Sequence, residues 1–401
     1  MNKVLFVIST LEGGGAERTL SNIVTHFPDD WQVDILINNK ECIHYPYKGN
    51  IVSLSLPYFR GKKSVIYLMK EIIRRTAYLK KLKKDNHYRA CISLLPSSNI
   101  SNVLSGNKYC KTIVSIHIMN DTSGVLGRLG VFFFVKILYN CADKIIVVSR
   151  EIAVRLIKQF KISSNRVDTI VNGYDHEWVQ KKMKIIPETG GNRFFDRKTD
   201  KILVTVGRLV DQKGQWHLIR AFSEVVKQEP EAKLVIVGDG VLKKYLTELI
   251  QMYGLEEQII LTGYSDNPFW YTALADVFVL PSLLEGYPNA LVEAVCCGRP
   301  CIAADVHSGV REILAPGLDV VGERTDQILE EEYGILIPVC SGKKYQRKEA
   351  LEPAEKEMAD AIVMLLRDDE KRMHYMQKSV ERSRDLDLKV IIDKWIDVIL
   401  E

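Results

Sequence analysis

Short, continuously apolar runs alternate with amphipathic helical patterns along almost the whole chain, and this alternation limits the folds open to it. In the first half, residues 4–9, 33–37, 51–56, 91–95, 112–116, 144–148 and 167–171 read as strands. In the second half, strands are expected at 202–207, 234–237, 259–262, 277–280, 301–304 and 334–337. Helical patterns fall between them, as at 16–26, 217–227, 241–253, 290–297 and 354–366. Strands that are apolar along their length and separated by helices belong to parallel sheets covered on both faces. A chain of 401 residues exceeds one ordinary core. The polar stretch 176–200, with Pro187 and Gly190-Gly191, reads as a connection. The expected organisation is an α/β chain with two doubly wound domains, 1–185 and 198–385, and ligand in the crevice between them. A last helical pattern within 386–401 spaces Ile391, Trp395, Val398 and Ile399 on one face. That face must be covered, and the first domain is the expected cover.

Charge divides the chain more sharply than composition does. The net charge is only +4, yet residues 1–200 carry 31 Lys+Arg against 17 Asp+Glu, and residues 201–401 carry 24 against 34. The basic half suits an anionic partner. Its densest segment, residues 60–84, has ten basic residues and Glu71 alone as an acid. Val65, Leu68, Met69, Ile72, Ile73, Leu79 and Leu82 recur there at helical spacing. The reading is an amphipathic helix with its apolar face on the sheet and its cations outward. Lys62, Lys63, Arg74, Arg75, Lys80, Lys81, Lys83 and Lys84 then face an anionic membrane or an acceptor. The segment has little aromatic interleaving, which argues against nucleic acid. The eight cysteines are scattered without a C-x-x-C pair, as expected of reduced thiols in a cytosol. The first residues enter a strand directly, so no signal peptide is expected. No apolar run reaches the length of a membrane span; the apolar run 131–135 reads as a buried helix.

The segment Glu285-Gly286-Tyr287-Pro288-Asn289-Ala290-Leu291-Val292-Glu293 carries the clearest chemistry. It follows the apolar strand at 277–280 and runs into a helix. Two carboxylates at the ends of a strand–turn–helix can hold hydroxyls, while the helix N-terminus presents N–H groups to a phosphate. Gly207-Arg208 ends the first strand of the second half, and Lys213-Gly214 follows on its loop. Two cations at such a strand end can neutralise a departing diphosphate. Gly238 ends the next strand and Tyr264 follows the one after, where a base could stack. In the first half, Gly13-Gly14-Gly15 precedes a helix, and His117 follows a strand. Arg18 stands where a third glycine would complete a dinucleotide fingerprint, so an NAD enzyme is not expected. Asn172-Gly173-Tyr174-Asp175 reads as a structural turn.

Together these residues resemble the family 4 retaining glycosyltransferases of the GT-B fold, with two Rossmann-like domains. The resemblance spans nearly the whole chain and also includes Gly298-Arg299-Pro300. It implies a nucleotide-sugar donor, with UDP expected, held by the second domain. Arg208 and Lys213 would meet the diphosphate, Glu293 the ribose and Glu285 the sugar. Gly207, Gly238, Tyr264, Gly286, Tyr287, Pro288, Asn289, Ala290 and Leu291 would complete the donor site. Gly14, Gly15 and His117 would approach the sugar from the first domain. It further implies transfer with retention and no metal or other cofactor; Asp385-Leu386-Asp387 reads as solvated charge. The implied acceptor is a glycan or a polyprenyl-diphosphate-linked saccharide at the cytoplasmic membrane face, in surface-glycan assembly. The alternatives are a non-transferring sugar-nucleotide enzyme such as an epimerase, and, more remotely, a nucleic-acid-binding protein.

Overall fold

The computed structural model describes residues 2–41, 43–57, 64–117, 136–188, 195–196 and 198–401. The chain divides into two compact units, 1–173 with 388–401, and 174–387.

In unit 1 the strands are β1 (Asn2–Val7), β2 (Trp31–Ile37), β3 (Asn50–Ser53), β4 (Ala90–Leu94), β5 (Lys111–Ile116), β6 (Lys144–Val147) and β7 (Val167–Thr169). They form one parallel sheet in the order β3-β2-β1-β4-β5-β6-β7. The helices are α1 (Gly15–Thr25), α2 (Val65–Asn86), α3 (Pro96–Leu104) and α4 (Arg150–Lys158). Val4, Phe6, Ile35, Ile92 and Ile113 are fully buried, as parallel strands covered on both faces must be. The C-terminal helix (Leu388–Leu400) joins this core through Ile391, Trp395, Val398 and Ile399.

Unit 2 repeats the plan. Its strands are β8 (Lys201–Val206), β9 (Ala232–Val237), β10 (Ile259–Gly263), β11 (Val277–Leu280), β12 (Cys301–Ala304), β13 (Leu329–Glu331) and β14 (Gly334–Ile337). The sheet order is β10-β9-β8-β11-β12-β14-β13, parallel except for the antiparallel edge strand β13. The helices are α5 (His176–Lys182), α6 (Gln215–Gln228), α7 (Lys243–Tyr253), α8 (Pro268–Leu274), α9 (Asn289–Cys296), α10 (Val310–Leu314), α11 (Pro353–Arg367) and α12 (Asp369–Asp385). The segment expected to be a free connection starts inside this unit. Trp178 packs edge-on against Phe269, and the Asn267 amide donates to the carbonyls of Lys182 and Ile185 at 2.8 and 2.6 Å. The short polar strand β13 and the polar helix α12 have no apolar periodicity and were not expected.

Helix α2 corrects the reading of the basic segment. Arg75 and Lys83 are buried, not outward. The Arg75 guanidinium pairs with Glu71 at 2.5 Å and donates to Asn38 Oδ1 at 2.6 Å. Lys83 donates to the carbonyl of Gly106 at 2.8 Å, to Thr112 Oγ1 at 2.9 Å and to the carbonyl of Asn102 at 3.2 Å. The carbonyls left over where α3 ends need such donors. The helix is therefore turned so that polar side chains share the inward face with Leu79. Ile66, Met69 and Ile73 stand 68%, 58% and 65% exposed, on the side where packing was expected. Arg74, Lys80, Lys81 and Lys84 are exposed as expected. Lys62, Lys63 and the run 131–135 lie outside the described residues. The seven described cysteines are unpaired. Among the described residues, no helix is long and apolar enough to cross a membrane.

Candidate active site

The strand order of unit 2 reverses between β8 and β11, and an open α/β sheet binds ligands at the carboxyl ends of such a pair. Arg208 and Lys213 follow β8, and Glu285 follows β11. Lys213 Nζ donates to Glu285 Oε1 at 2.6 Å, and Ser282 Oγ donates to the same oxygen at 2.6 Å. Both bonds converge on Oε1, which leaves Oε2 to accept from a ligand. The Arg208 side chain is exposed and has no partner among the described residues, while its carbonyl accepts from Gln215 Nε2 at 3.1 Å. One cation is thus fixed on the carboxylate, and a second, five residues earlier on the same loop, has no side-chain partner among the described residues.

Glycines bring these loops together. Gly214 adopts a left-handed φ of +63°, and a Cβ there would stand 2.4 Å from the Pro281 carbonyl oxygen. Gly238 has φ +146°, and its Cβ would fall 2.0 Å from the Gly207 carbonyl oxygen. Any side chain at either place would push the β8 loop away from its neighbours.

Helix α9 begins at Asn289 with Pro288 as its N-cap, whose side chain makes no capping hydrogen bond. The preceding turn is held from outside: the Ser308 hydroxyl donates to the Gly286 carbonyl. Ser308 itself has φ +75°, an uncommon conformation for a residue with a side chain. Gly309 packs so closely that a Cβ would come within 2.9 Å of Tyr287 and Pro288. The Tyr287 ring is buried, so its backbone is what it can offer a ligand. Ala290 and Leu291 lie in the first turn of the helix. One turn on, Glu293 Oε1 accepts from Tyr174 Oη at 2.6 Å. Tyr174, expected to be structural only, therefore orients the second carboxylate of the segment. Tyr264 stands just after β10, 72% exposed.

In unit 1, Gly14 is the N-cap of α1, which begins at Gly15. A Cβ on Gly14 would strike the Glu17 carboxylate at 2.0 Å. His117 follows β5, with Nε2 3.1 Å from Ser115 Oγ. Desolvation pushes its partly buried imidazole down to about 4, so it is neutral near pH 7 and can hold a hydroxyl but carries no charge. Among the described residues, His217, Cys340 and Glu352 come within ligating reach of one another. Both His217 nitrogens are already engaged, by Glu355 and by the Gly342 N–H, and burial holds the Cys340 thiol well above its usual range. Asp385 of the D-x-D triplet pairs with Arg382 at 2.6 Å.

Residues 13–178 match the family described as Glycosyltransferase Family 4, and residues 192–331 match Glycosyl transferases group 1. An uncharacterized glycosyltransferase of Methanocaldococcus jannaschii is 30% identical over 87% of this chain and 91% of its own length. The chain is a family 4 glycosyltransferase. The transferase is also 27% identical, over 96% of both chains, to a Campylobacter jejuni protein. That relative is named as the N-acetylgalactosamine-N,N'-diacetylbacillosaminyl-diphospho-undecaprenol 4-alpha-N-acetylgalactosaminyltransferase. The fold of the chain itself is the GT-B arrangement of two Rossmann-like domains. The Anabaena protein HepE, solved in complex with UDP, superposes with a TM-score of 0.73 at 18% identity over 99% of each chain.

Proposed function

We propose that the transferase moves a sugar from a UDP-sugar to a glycan or polyprenyl-diphosphate-linked saccharide, with retention at the anomeric carbon and without a metal. The carrying observation is the Lys213–Glu285–Ser282 cluster at the β8/β11 reversal, with Arg208 on the same loop as Lys213. A carboxylate already held by an ammonium and a hydroxyl is placed to accept sugar hydroxyls rather than to attack. The bond from the anomeric carbon to the phosphate oxygen breaks, and Arg208 and Lys213 meet the charge that develops on the leaving diphosphate. The acceptor oxygen bonds to that carbon from the same face, and its proton passes to the departing phosphate oxygen. Glu293, oriented by Tyr174, takes the ribose hydroxyls. The UDP bound to HepE and the lipid-linked substrate in the name of the Campylobacter relative favour this donor and acceptor class.

A thermal-shift panel of UDP, GDP and ADP, with and without magnesium, tests the donor site. UDP is expected to raise the midpoint equally in both conditions, and Glu293→Ala to abolish the rise. A shift with GDP or ADP alone would reassign the base, and no shift with any nucleotide would sink the reading.

The exposed stripe of α2 favours work at the inner face of the cell membrane. Ile66, Met69 and Ile73 stand one turn apart beside Lys70, Arg74, Lys81 and Lys84. An exposed apolar row flanked by cations suits an anionic lipid surface better than water. The enzyme is expected to co-sediment with phosphatidylglycerol vesicles but not with phosphatidylcholine ones. Replacing Met69 and Ile73 by aspartate should abolish this while UDP binding persists; unchanged sedimentation would refute the membrane placement.

A further inference from the structure

A cavity of about 600 Å3 opens in unit 2 beside the donor loop, and none of Arg208, Lys213, Glu285 or Glu293 lines it. Its volume falls within the range of small-molecule sites. It meets the donor loop at Leu283, whose N–H donates to the Gln212 carbonyl at 2.9 Å, two residues before Glu285. Arg324, Thr325 and Asp326 line part of it, and the segment that carries them is tied to one buried carboxylate. Asp305 accepts from Arg311 Nε and Nη2 at 2.9 and 2.7 Å and from the Thr325 N–H at 2.9 Å. Arg311 also donates to the Asp319 carbonyl at 2.6 Å.

The lining selects the chemistry of the occupant. With Asp305 paired to Arg311, the carboxylates of Asp326 and Glu352 still outnumber the guanidinium of Arg324, so a phosphate or other anion would meet net negative charge. A metal ion fares no better. Asp305 is taken up by Arg311, and Glu352 accepts from Ser341 Oγ at 2.6 Å while capping α11. What remains is a panel of Leu283, Val306, Pro338 and Val339 facing a rim of hydrogen-bonding groups. Arg324 can only donate, so His307 Nδ1 accepts their bond at 2.8 Å. An apolar panel with a rim of donors and acceptors matches a pyranose ring, which has an apolar face and an edge of hydroxyls.

We propose that this cavity is a subsite for a neutral sugar unit of the acceptor glycan, separate from the position of the donor sugar. This rests on the glycan-acceptor reading above. The test is saturation-transfer NMR on the full chain, kept saturated with UDP so that the donor site is filled. The probes are galactose, N-acetylglucosamine, N-acetylgalactosamine and lactose. At least one is expected to receive saturation from the wild type. The signal should fall at least fivefold in Val339→Trp and in Ala354→Trp, each of which puts an indole at a residue lining the cavity. Both variants should keep the UDP-induced rise in thermal midpoint, which certifies their fold. A sugar signal unchanged in both variants would overturn the subsite. So would the absence of any sugar signal in a chain that UDP stabilises. If UDP fails to stabilise the wild type but the tryptophans still erase a sugar signal, the donor reading falls and the subsite stands.

Discussion

Lys213→Ala is expected to lower kcat/KM by roughly 10²–10³-fold, the scale of one preorganised charge stabiliser in a transition state. Two losses combine in this variant. The diphosphate leaves without one of its cations, and Glu285 keeps only the Ser282 hydroxyl to hold it. A Glu285→Ala change removes the same unit from its other end. The double variant Lys213→Ala/Glu285→Ala should therefore be little slower than the worse single one. Arg208→Ala should behave differently. Its side chain has no partner among the described residues, so its loss should multiply with that of Lys213. Initial rates of UDP release with acceptor present give all these values. A Lys213→Ala enzyme within threefold of wild type, or full multiplication of the Lys213 and Glu285 effects, would break the proposed unit.

The two sheets could be read from the chain because parallel strands covered on both faces leave uninterrupted apolar runs, and every expected strand lies in or beside an observed one. What escaped was structure without an apolar signature. Strand β13 is a polar edge of three residues, and α12 covers its unit with Tyr375, Ser379 and Ser383 among charged neighbours. Helix α2 misled for a sharper reason. Helical spacing shows that one face is apolar but not which way the helix is turned. Here a buried Glu71–Arg75 pair and the demand of α3 for carbonyl partners decided the rotation. No pattern in residues 60–84 separates those two buried cations from the exposed ones.

The catalytic segment was legible in its named residues and illegible in its supports. Glu285, Glu293, Arg208 and Lys213 stand at strand ends and helix starts, where position along the sequence implies position at a site. Ser282, Ser308 and Tyr174 act through tertiary contact. Tyr174 lies 119 residues from the carboxylate it orients. The only local hint of Ser308 is the glycine that follows it, and a left-handed serine cannot be inferred from one neighbour.

Glu355→Ala should cost unit 2 about 3–5 kcal/mol, the penalty for stripping one partner from a buried ion pair. Glu355 and Arg220 are both fully buried. The guanidinium donates to Glu355 at 2.8 and 3.0 Å, lies 3.5 Å from the centre of the Tyr345 ring and donates to Tyr253 Oη at 2.6 Å. The same carboxylate binds His217 Nδ1 at 2.7 Å and accepts the Glu352 N–H at 3.0 Å, closing the capping box of α11. Alanine would leave a charged group in the interior and uncap a helix in one step. For a unit of this size the midpoint should drop by on the order of 10 °C. Glu355→Gln keeps the shape and the acceptor oxygen, so its drop should be smaller. Because neither Glu355 nor Arg220 bonds to Arg208, Lys213 or Glu285 among the described residues, UDP should still raise the midpoint of both variants by as much as it raises that of the wild type. A thermal scan that finds Glu355→Ala within 2 °C of wild type would mean that Arg220 finds water or another partner, and that the pair is not what fixes α11 on α6.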